Sequence, residues 1–120
     1  MIPRIASFRH AFAGVAHVVR TQVNARIHVT VAVAVVALGA WLRLPAGAWA
    51  VLVLCIGLVL AAEAFNTAVE AVVDLASPDI HPLARIAKDA AAGAVLITAI
   101  AAVVVGLLVL GPPLLARLGY

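Results

Sequence analysis

One amphipathic stretch and three long apolar runs divide the chain. From Ile5 onward, apolar residues recur every three or four positions, and most basic residues of this stretch fall on the opposite side. The apolar positions with this spacing are Ile5, Phe8, Phe12, Val15 and Val19. This period is typical of an amphipathic helix, which we expect over about residues 4–20, in the membrane interface or covering a bundle.

The three apolar runs predict transmembrane helices at about residues 25–44, 48–75 and 83–110, because a bilayer is spanned by roughly 20 apolar residues. With 67% hydrophobic and 11% charged residues, the composition excludes a soluble domain. Basic residues are few and dispersed, with no aromatic interleaving, which argues against nucleic-acid binding. We therefore expect an all-α integral membrane protein with a single domain over residues 1–120.

Proline and glycine mark the expected breaks between the spans. Leu44-Pro45-Ala46-Gly47 predicts a tight turn, since Pro45 restricts the residue before it and Gly47 relaxes the backbone. The segment 77–82 interrupts the next helix, and Gly111-Pro112-Pro113 is expected to end the last one.

The distribution of positive charge predicts the orientation of the chain. Three spans place the N-terminus and the second connection on one side of the membrane, which carries Arg4, Arg9, Arg20, Arg26, Arg85 and Lys88, whereas the other side carries Arg43 and Arg117. This excess predicts an N-terminus in the cytoplasm.

A row of polar residues is set into the second span. Glu63, Asn66, Glu70 and Asp74 follow one another at offsets of three, seven and eleven from the first. At about 100° per residue these side chains lie within roughly 80° of one another, and the row extends about 16 Å along the axis. An ionisable residue in a transmembrane segment is by default a functional-site hypothesis.

The residue types in this region suggest phosphate chemistry. Glu70 and Asp74 offer hard oxygen ligands for magnesium, and Lys88 offers a point charge for a polyphosphate. Glu63, about two turns deeper, suits a general base toward an alcohol. The sequence around Lys88 lacks the glycines of a P-loop. Carboxylates on one face of a membrane helix also serve proton or cation transporters, so a non-enzymatic ion-coupled protein is the alternative.

Two blocks of the sequence resemble the signature of the prokaryotic diacylglycerol kinase family. They are EAFNTAVEAVVD at residues 63–74 and AKDAAAGAVL at residues 87–96. The run NARIH at residues 24–28 is similar to the first block of that family, especially in its undecaprenol kinase branch. The resemblance extends from about residue 21 to residue 106.

This resemblance implies a fold, an activity and roles for individual residues. It implies a homotrimer with active sites shared between subunits, each with an amphipathic surface helix and three transmembrane helices, in the bacterial cell membrane. ATP and Mg²⁺ would be used to phosphorylate undecaprenol or, alternatively, diacylglycerol. The implied roles are catalytic base for Glu63, magnesium and nucleotide ligand for Glu70, nucleotide-phosphate contacts for Asn66, Asp74, Lys88 and Asp89, and substrate or structural support for Asn24 and Arg26.

One position departs from the family pattern. Gln22 stands two residues before Asn24, where the family usually has a glutamate that helps to hold magnesium. An amide is a neutral and weaker ligand for a hard cation, so we expect Gln22 to lower the affinity for the metal.

Overall fold

The computed structural model describes residues 3–120 and is entirely helical, which confirms the predicted all-α class. The predicted domain also includes residues 1 and 2, which lie outside this range. Three of the helices are long and apolar enough to cross a bilayer. The helices are α1 (Arg4–Thr21), α2 (Val23–Leu42), α3 (Ala46–Ala76) and α4 (Pro82–Arg117).

A single extended residue separates α1 from α2. Gln22 has φ −103° and ψ 116°, and its backbone N–H still donates to the carbonyl of Val18 at 2.9 Å. The Arg26 guanidinium donates to the carbonyl of Arg20 at 3.0 Å, so a side chain of α2 satisfies one of the free carbonyls at the end of α1. The junction between α1 and α2 therefore consists of a single non-helical residue.

The turn between α2 and α3 lies earlier than the sequence predicted. Arg43 ends α2 in the left-handed conformation with φ 55°, and Gly47, expected to relax the turn, is inside α3. Because a left-handed residue at this position lets its N–H bond back to the last helical carbonyls, the reversal takes three residues, 43–45. Pro45, which precedes the first helical residue of α3, is extended.

The connection between α3 and α4 is stabilised by local hydrogen bonds. The Ser77 hydroxyl donates to the carbonyl of Asp79 at 2.9 Å, and His81 Nδ1 accepts from the N–H of Leu83 at 3.1 Å. Pro82 is the first residue of α4, where its missing N–H costs no helical bond. These contacts start α4 directly beside the end of α3, and these two helices form the most extensive contact of the bundle.

The expectation that Gly111-Pro112-Pro113 ends the third span is wrong, because α4 continues to Arg117. A proline in a helix removes one N–H and normally forces the preceding residue out of the helical region through a clash with its Cβ. Here the residue before Pro112 is glycine, which has no Cβ, so this clash is absent at the first of the two prolines, and the helix continues through both. It ends where Gly119 adopts φ 88°.

Apolar packing fills the end of the bundle that contains the α2–α3 turn and the end of α4, here called the closed end (residues 35–52 and 109–117). Leu44, Leu52 and Leu110 form a buried cluster between the helices. A Cβ on Gly39 would lie 2.9 Å from Trp49 Cη2, so glycine permits close approach of α2 to that ring. The Arg117 guanidinium lies over the Trp41 ring at 4.6 Å and joins α4 to α2.

Candidate active site

The polar row of α3 lies at the opposite end of the bundle, here called the polar end (residues 22–28, 63–76 and 82–89). Glu63 is 1% exposed, Asn66 and Glu70 are half-buried, and the side chain of Asp74 is 65% exposed. The side chains of the row thus become more exposed along α3 from Glu63 to Asp74. They lie on one face of the helix, so this face is buried in the bundle at Glu63 and exposed at Asp74. Asp74 is therefore accessible at the surface of the chain, whereas Glu63 is not.

Glu63 meets a histidine of the neighbouring helix. His28 Nε2 lies 3.3 Å from Glu63 Oε1, close enough for an ion pair when the imidazole is protonated. Glu63 Oε1 has no hydrogen-bond partner among the described residues. A buried oxygen without a donor is costly unless a further group satisfies it. Glu63 is therefore poised to accept a hydrogen bond, such as one from a hydroxyl group.

One turn further along, an amide and a carboxylate are paired. Asn66 Nδ2 donates to Glu70 Oε1 at 3.3 Å, the i,i+4 contact that the helical spacing predicts. Asn66 Oδ1 is buried and has no partner within residues 3–120. The amide thus orients Glu70 and retains a free acceptor of its own.

An ion pair crosses from α3 to α4 at the exposed end of the row. Lys88 Nζ contacts Asp74 Oδ1, and both side chains are partly exposed. Asp89 lies on the same turn of α4 and faces Arg85, with 3.7 Å between Oδ2 and Nε. The structure therefore brings Lys88 to the row on α3, while Asp89 pairs within α4.

Among residues 3–120, the candidates at the start of α2 form no hydrogen bond or ion pair with this row. The Gln22 amide donates to the Thr21 hydroxyl at 3.3 Å, and Arg26 bonds to the end of α1. Asn24 is exposed. All three positions stay predictions, and their observed hydrogen bonds serve the junction between α1 and α2.

The acids at the polar end fit a magnesium ion carried by a phosphate better than a resident metal. Among residues 3–120, three or more acidic, histidine or cysteine side chains do not come together at metal-binding distance. Of the three acids in the row, Glu70 alone forms no ion pair with another of residues 3–120. Magnesium needs only one or two carboxylates when substrate phosphates and water complete its coordination, so Glu70 suits such a site.

His28 is the residue that sequence reasoning undervalued. A basic residue near the start of a span is expected to help orient the chain in the membrane. That interpretation of His28 does not predict its contact with Glu63. Its spacing offered a signal, because His28, Val31 and Val35 share one face of α2 that lines the space facing α3 and α4.

A family model described as prokaryotic diacylglycerol kinase matches residues 9–110, which is most of the chain. This chain belongs to that family. The matched range contains Glu63, its neighbour His28 and the ion pair between Asp74 and Lys88, so the whole polar end lies within the family region. The family is one of lipid kinases.

Two relatives carry kinase names. The diacylglycerol kinase of Synechocystis sp. is 53% identical over 113 residues, and the undecaprenol kinase of Bacillus subtilis is 42% identical over 108 residues. The alignments cover 93% and 90% of this chain. This chain spans 65% of the length of the Synechocystis protein and 88% of the Bacillus protein.

Proposed function

We propose that this chain is a kinase that transfers the terminal phosphate of ATP, with Mg²⁺, to the hydroxyl group of a membrane lipid alcohol. The observation that carries the proposal is the buried Glu63 carboxyl at the inner end of a row that reaches a lysine at its outer end. Its Oε1 accepts no hydrogen bond from the part of the chain that the structure describes. A lipid hydroxyl reaches such a site from the bilayer, and a nucleotide reaches it from water.

Each residue of the row has a part in the proposed reaction. Glu63 accepts the proton of the lipid hydroxyl as its oxygen forms a bond to the γ-phosphorus of ATP. The bond from that phosphorus to the oxygen that bridges to the β-phosphate breaks, and ADP leaves. Lys88 moves from Asp74 to the phosphates, and Asn66 holds the nucleotide next to Glu70. Asp74 is assigned to the nucleotide-phosphate contacts at the outer end of the row.

In this proposal Glu70 would hold the magnesium ion. Gln22 occupies the position at which the resemblance implies a second, acidic ligand. Held at Glu70 together with the phosphates, the magnesium ion would supply positive charge against the charge that develops during transfer. Asp89 is assigned to the nucleotide side of the site, and Asn24 and Arg26 to support of the substrate or of the α1–α2 junction.

The acceptor that we propose is undecaprenol, with diacylglycerol as the second candidate. The NARIH run of α2, which contains the His28 that contacts Glu63, supports the polyprenol. The Synechocystis relative named diacylglycerol kinase supports the second candidate, at 53% identity.

The proposed enzyme is a homotrimer in the bacterial cell membrane, with shared active sites and its polar end in the cytoplasm. The basic residues at the polar end support this orientation. Exposed apolar residues on α1, which include Phe8 and Phe12, support a surface helix that lies in the interface.

The test is phosphate transfer from labelled ATP by the purified protein in lipid micelles, with undecaprenol and diacylglycerol offered in parallel. Labelled polyprenyl phosphate is the expected product, and it must disappear without Mg²⁺. Label on diacylglycerol alone would keep the kinase and replace the acceptor. The absence of transfer to either lipid, for this chain and for Gln22→Glu, would contradict the proposal. Asp79→Asn, which removes an exposed acid of the α3–α4 connection, is the matched control and should stay active.

A further inference from the structure

Among residues 3–120, Glu63 has one ionisable neighbour within ion-pair distance. The imidazole Nε2 of His28, on α2, lies 3.3 Å from Glu63 Oε1. The other two ion pairs of the described chain join residues between 74 and 89, toward the exposed end of the row. The next residue of the row on α3 is Asn66, whose amide does not titrate. Within the described chain, His28 is therefore the group that is placed to exchange a proton with Glu63.

The two side chains of this pair differ in their access to the surface of the chain. The side chain of Glu63 is 2% exposed, whereas that of His28 is 22% exposed. His28 lies within the first two turns of α2, and Asn24, one turn before it on the same side of the helix, is exposed. The imidazole thus lies between a carboxyl with almost no exposure of its own and the surface of the polar end.

The proposed reaction leaves a proton on Glu63 in every cycle. A protonated carboxyl does not accept the proton of the next hydroxyl group, so Glu63 must release its proton between turnovers. Proton transfer needs a partner within hydrogen-bond reach, directly or through one water molecule. The next acid of the row, Glu70, is seven residues away, or about 10 Å along the helix axis. The release of the proton therefore depends on the neighbour that Glu63 has on α2.

We propose that His28 takes this proton from Glu63 and releases it at the surface, so that it acts through the base and not on the substrates. The inference rests on the proposed function, which places the proton on Glu63. The protonated carboxyl donates its O–H to Nε2, and transfer of the proton leaves a carboxylate and an imidazolium. The imidazolium then gives a proton to water or buffer, which restores the neutral imidazole. Histidine suits this role because it gains and loses a proton near neutral pH.

The first experiment compares His28→Gln with His17→Gln in the kinase assay. The amide forms hydrogen bonds but takes up no proton, so kcat of His28→Gln should fall about tenfold or more. Its kcat/KM for the lipid should stay unchanged, because the first transfer starts from a Glu63 that has already lost its proton. His17 is exposed on α1 and forms no ion pair within residues 3–120, so His17→Gln should leave both values unchanged.

Two results of this comparison would overturn the relay. The first is an unchanged kcat in His28→Gln, or an equal fall in both variants. The second is a kcat/KM that falls as much as kcat, since His28 would then orient or charge Glu63 during the transfer itself, or stabilise the fold.

The second experiment supplies the proton acceptor from solution. In His28→Ala, added imidazole should raise kcat several-fold, because it takes the proton from Glu63 in the space that the side chain leaves. Pyrazole has a ring of the same size but is a much weaker base, so it should have no effect. Neither compound should change kcat of the unaltered chain. Rescue by both compounds, or by neither, would contradict the relay.

The third measurement needs no turnover and tests the contact itself. The ¹⁵N NMR signal of His28 Nε2, assigned by its loss in His28→Gln, should shift in Glu63→Gln. The signals of the other three histidines should not shift; these are His10, His17 and His81. An unshifted His28 signal would remove the contact on which the relay depends.

The measurements separate failure of the relay from failure of the proposed function. A shifted His28 signal in a chain that transfers phosphate to neither lipid would refute the proposed function, and the relay with it, and leave the pair in place. An active kinase whose kcat is unchanged in His28→Gln would refute the relay alone.

Discussion

At the closed end of the bundle, apolar side chains from α2, α3 and α4 pack against one another, whereas at the polar end the largest fully buried side chain is a carboxylic acid. The closed end is tight enough that Trp49 leaves no room for a Cβ on Gly39. The polar end holds two buried oxygen atoms without a hydrogen-bond donor, on Glu63 and Asn66.

This difference indicates that the residues that stabilise the bundle and the candidate site residues lie at opposite ends of the same three helices. Each unsatisfied buried group costs about 1–3 kcal/mol, and such groups persist where the surrounding structure is stable enough to hold them. In a membrane, close packing of side chains supplies much of that stability. We therefore expect substitutions at the closed end to change unfolding, and substitutions at the polar end to change reaction or binding.

The largest expected effect follows from Glu63→Gln. The amide keeps the size of the side chain but accepts no proton from the lipid hydroxyl, so turnover should fall by about 10²–10⁴-fold. Nucleotide binding, measured by fluorescence of an ATP analogue, should remain, because the amide leaves Asn66 unchanged and Glu70, the proposed magnesium ligand, is about two turns away. A variant with full activity would remove Glu63 from the role of base.

The next effect is on unfolding at the closed end. Gly39→Leu forces Trp49 and Leu44 to move and should destabilise the protein by about 1–3 kcal/mol, as overpacking does. The measurement is the midpoint of unfolding in mixed micelles, with Gly57→Leu as the control for an added side chain on an open helix face. A loss of turnover in fully folded Gly39→Leu would break the separation between the two ends.

A smaller effect should follow from removing one basic residue at each end. Lys88→Met should raise the KM for ATP about tenfold or more, the equivalent of one charged hydrogen bond. Its stability should change little, because its ion pair with Asp74 is partly exposed. Arg117→Met, which removes the contact with Trp41, should leave the KM for ATP unchanged. If Lys88→Met and Arg117→Met changed the KM for ATP equally, Lys88 would act only through the overall charge of the protein.

The smallest expected change is a gain. Gln22→Glu replaces an amide with a charged oxygen ligand, so half-maximal activity should need a lower concentration of Mg²⁺. The Gln22 amide donates to the Thr21 hydroxyl, which itself donates to the carbonyl of His17, and Thr21→Val tests whether loss of these two hydrogen bonds at the α1–α2 junction alters metal dependence. An unchanged requirement for Mg²⁺ in Gln22→Glu would separate this position from the metal site.

The sequence was sufficient for features that depend on a single helix. The spacing from Glu63 to Asp74 predicted one shared face, and the observed bond between Asn66 and Glu70 agrees with it. The contact between His28 and Glu63 was not predicted, because it depends on the relative register of two helices. That register is set by the turn after α2, which uses a left-handed Arg43 where the sequence suggested Gly47.

The end of α4 was missed for a different reason. Prolines are strong signals for the end of a helix, and the effect of Gly111, which removes the clash with Pro112, is visible only when the two residues are considered together. The continued helix brings Arg117 to Trp41, a contact that the predicted end at residue 110 would have excluded.

Because the spans differ in length, the position of the polar end relative to the membrane surface depends on the thickness of the bilayer. α2 has 20 residues, or about 30 Å, which matches the hydrocarbon core, whereas α3 has 31 residues, or about 46 Å. The short turn aligns the two helices at the closed end, so the excess of α3 extends past the start of α2. In a bilayer with longer acyl chains, the membrane–water interface lies further along the part of α3 that extends past α2. The cost in mismatch energy is modest. The lipid composition of the membrane thus sets how far the Glu63 carboxyl lies from water, without any change in the chain.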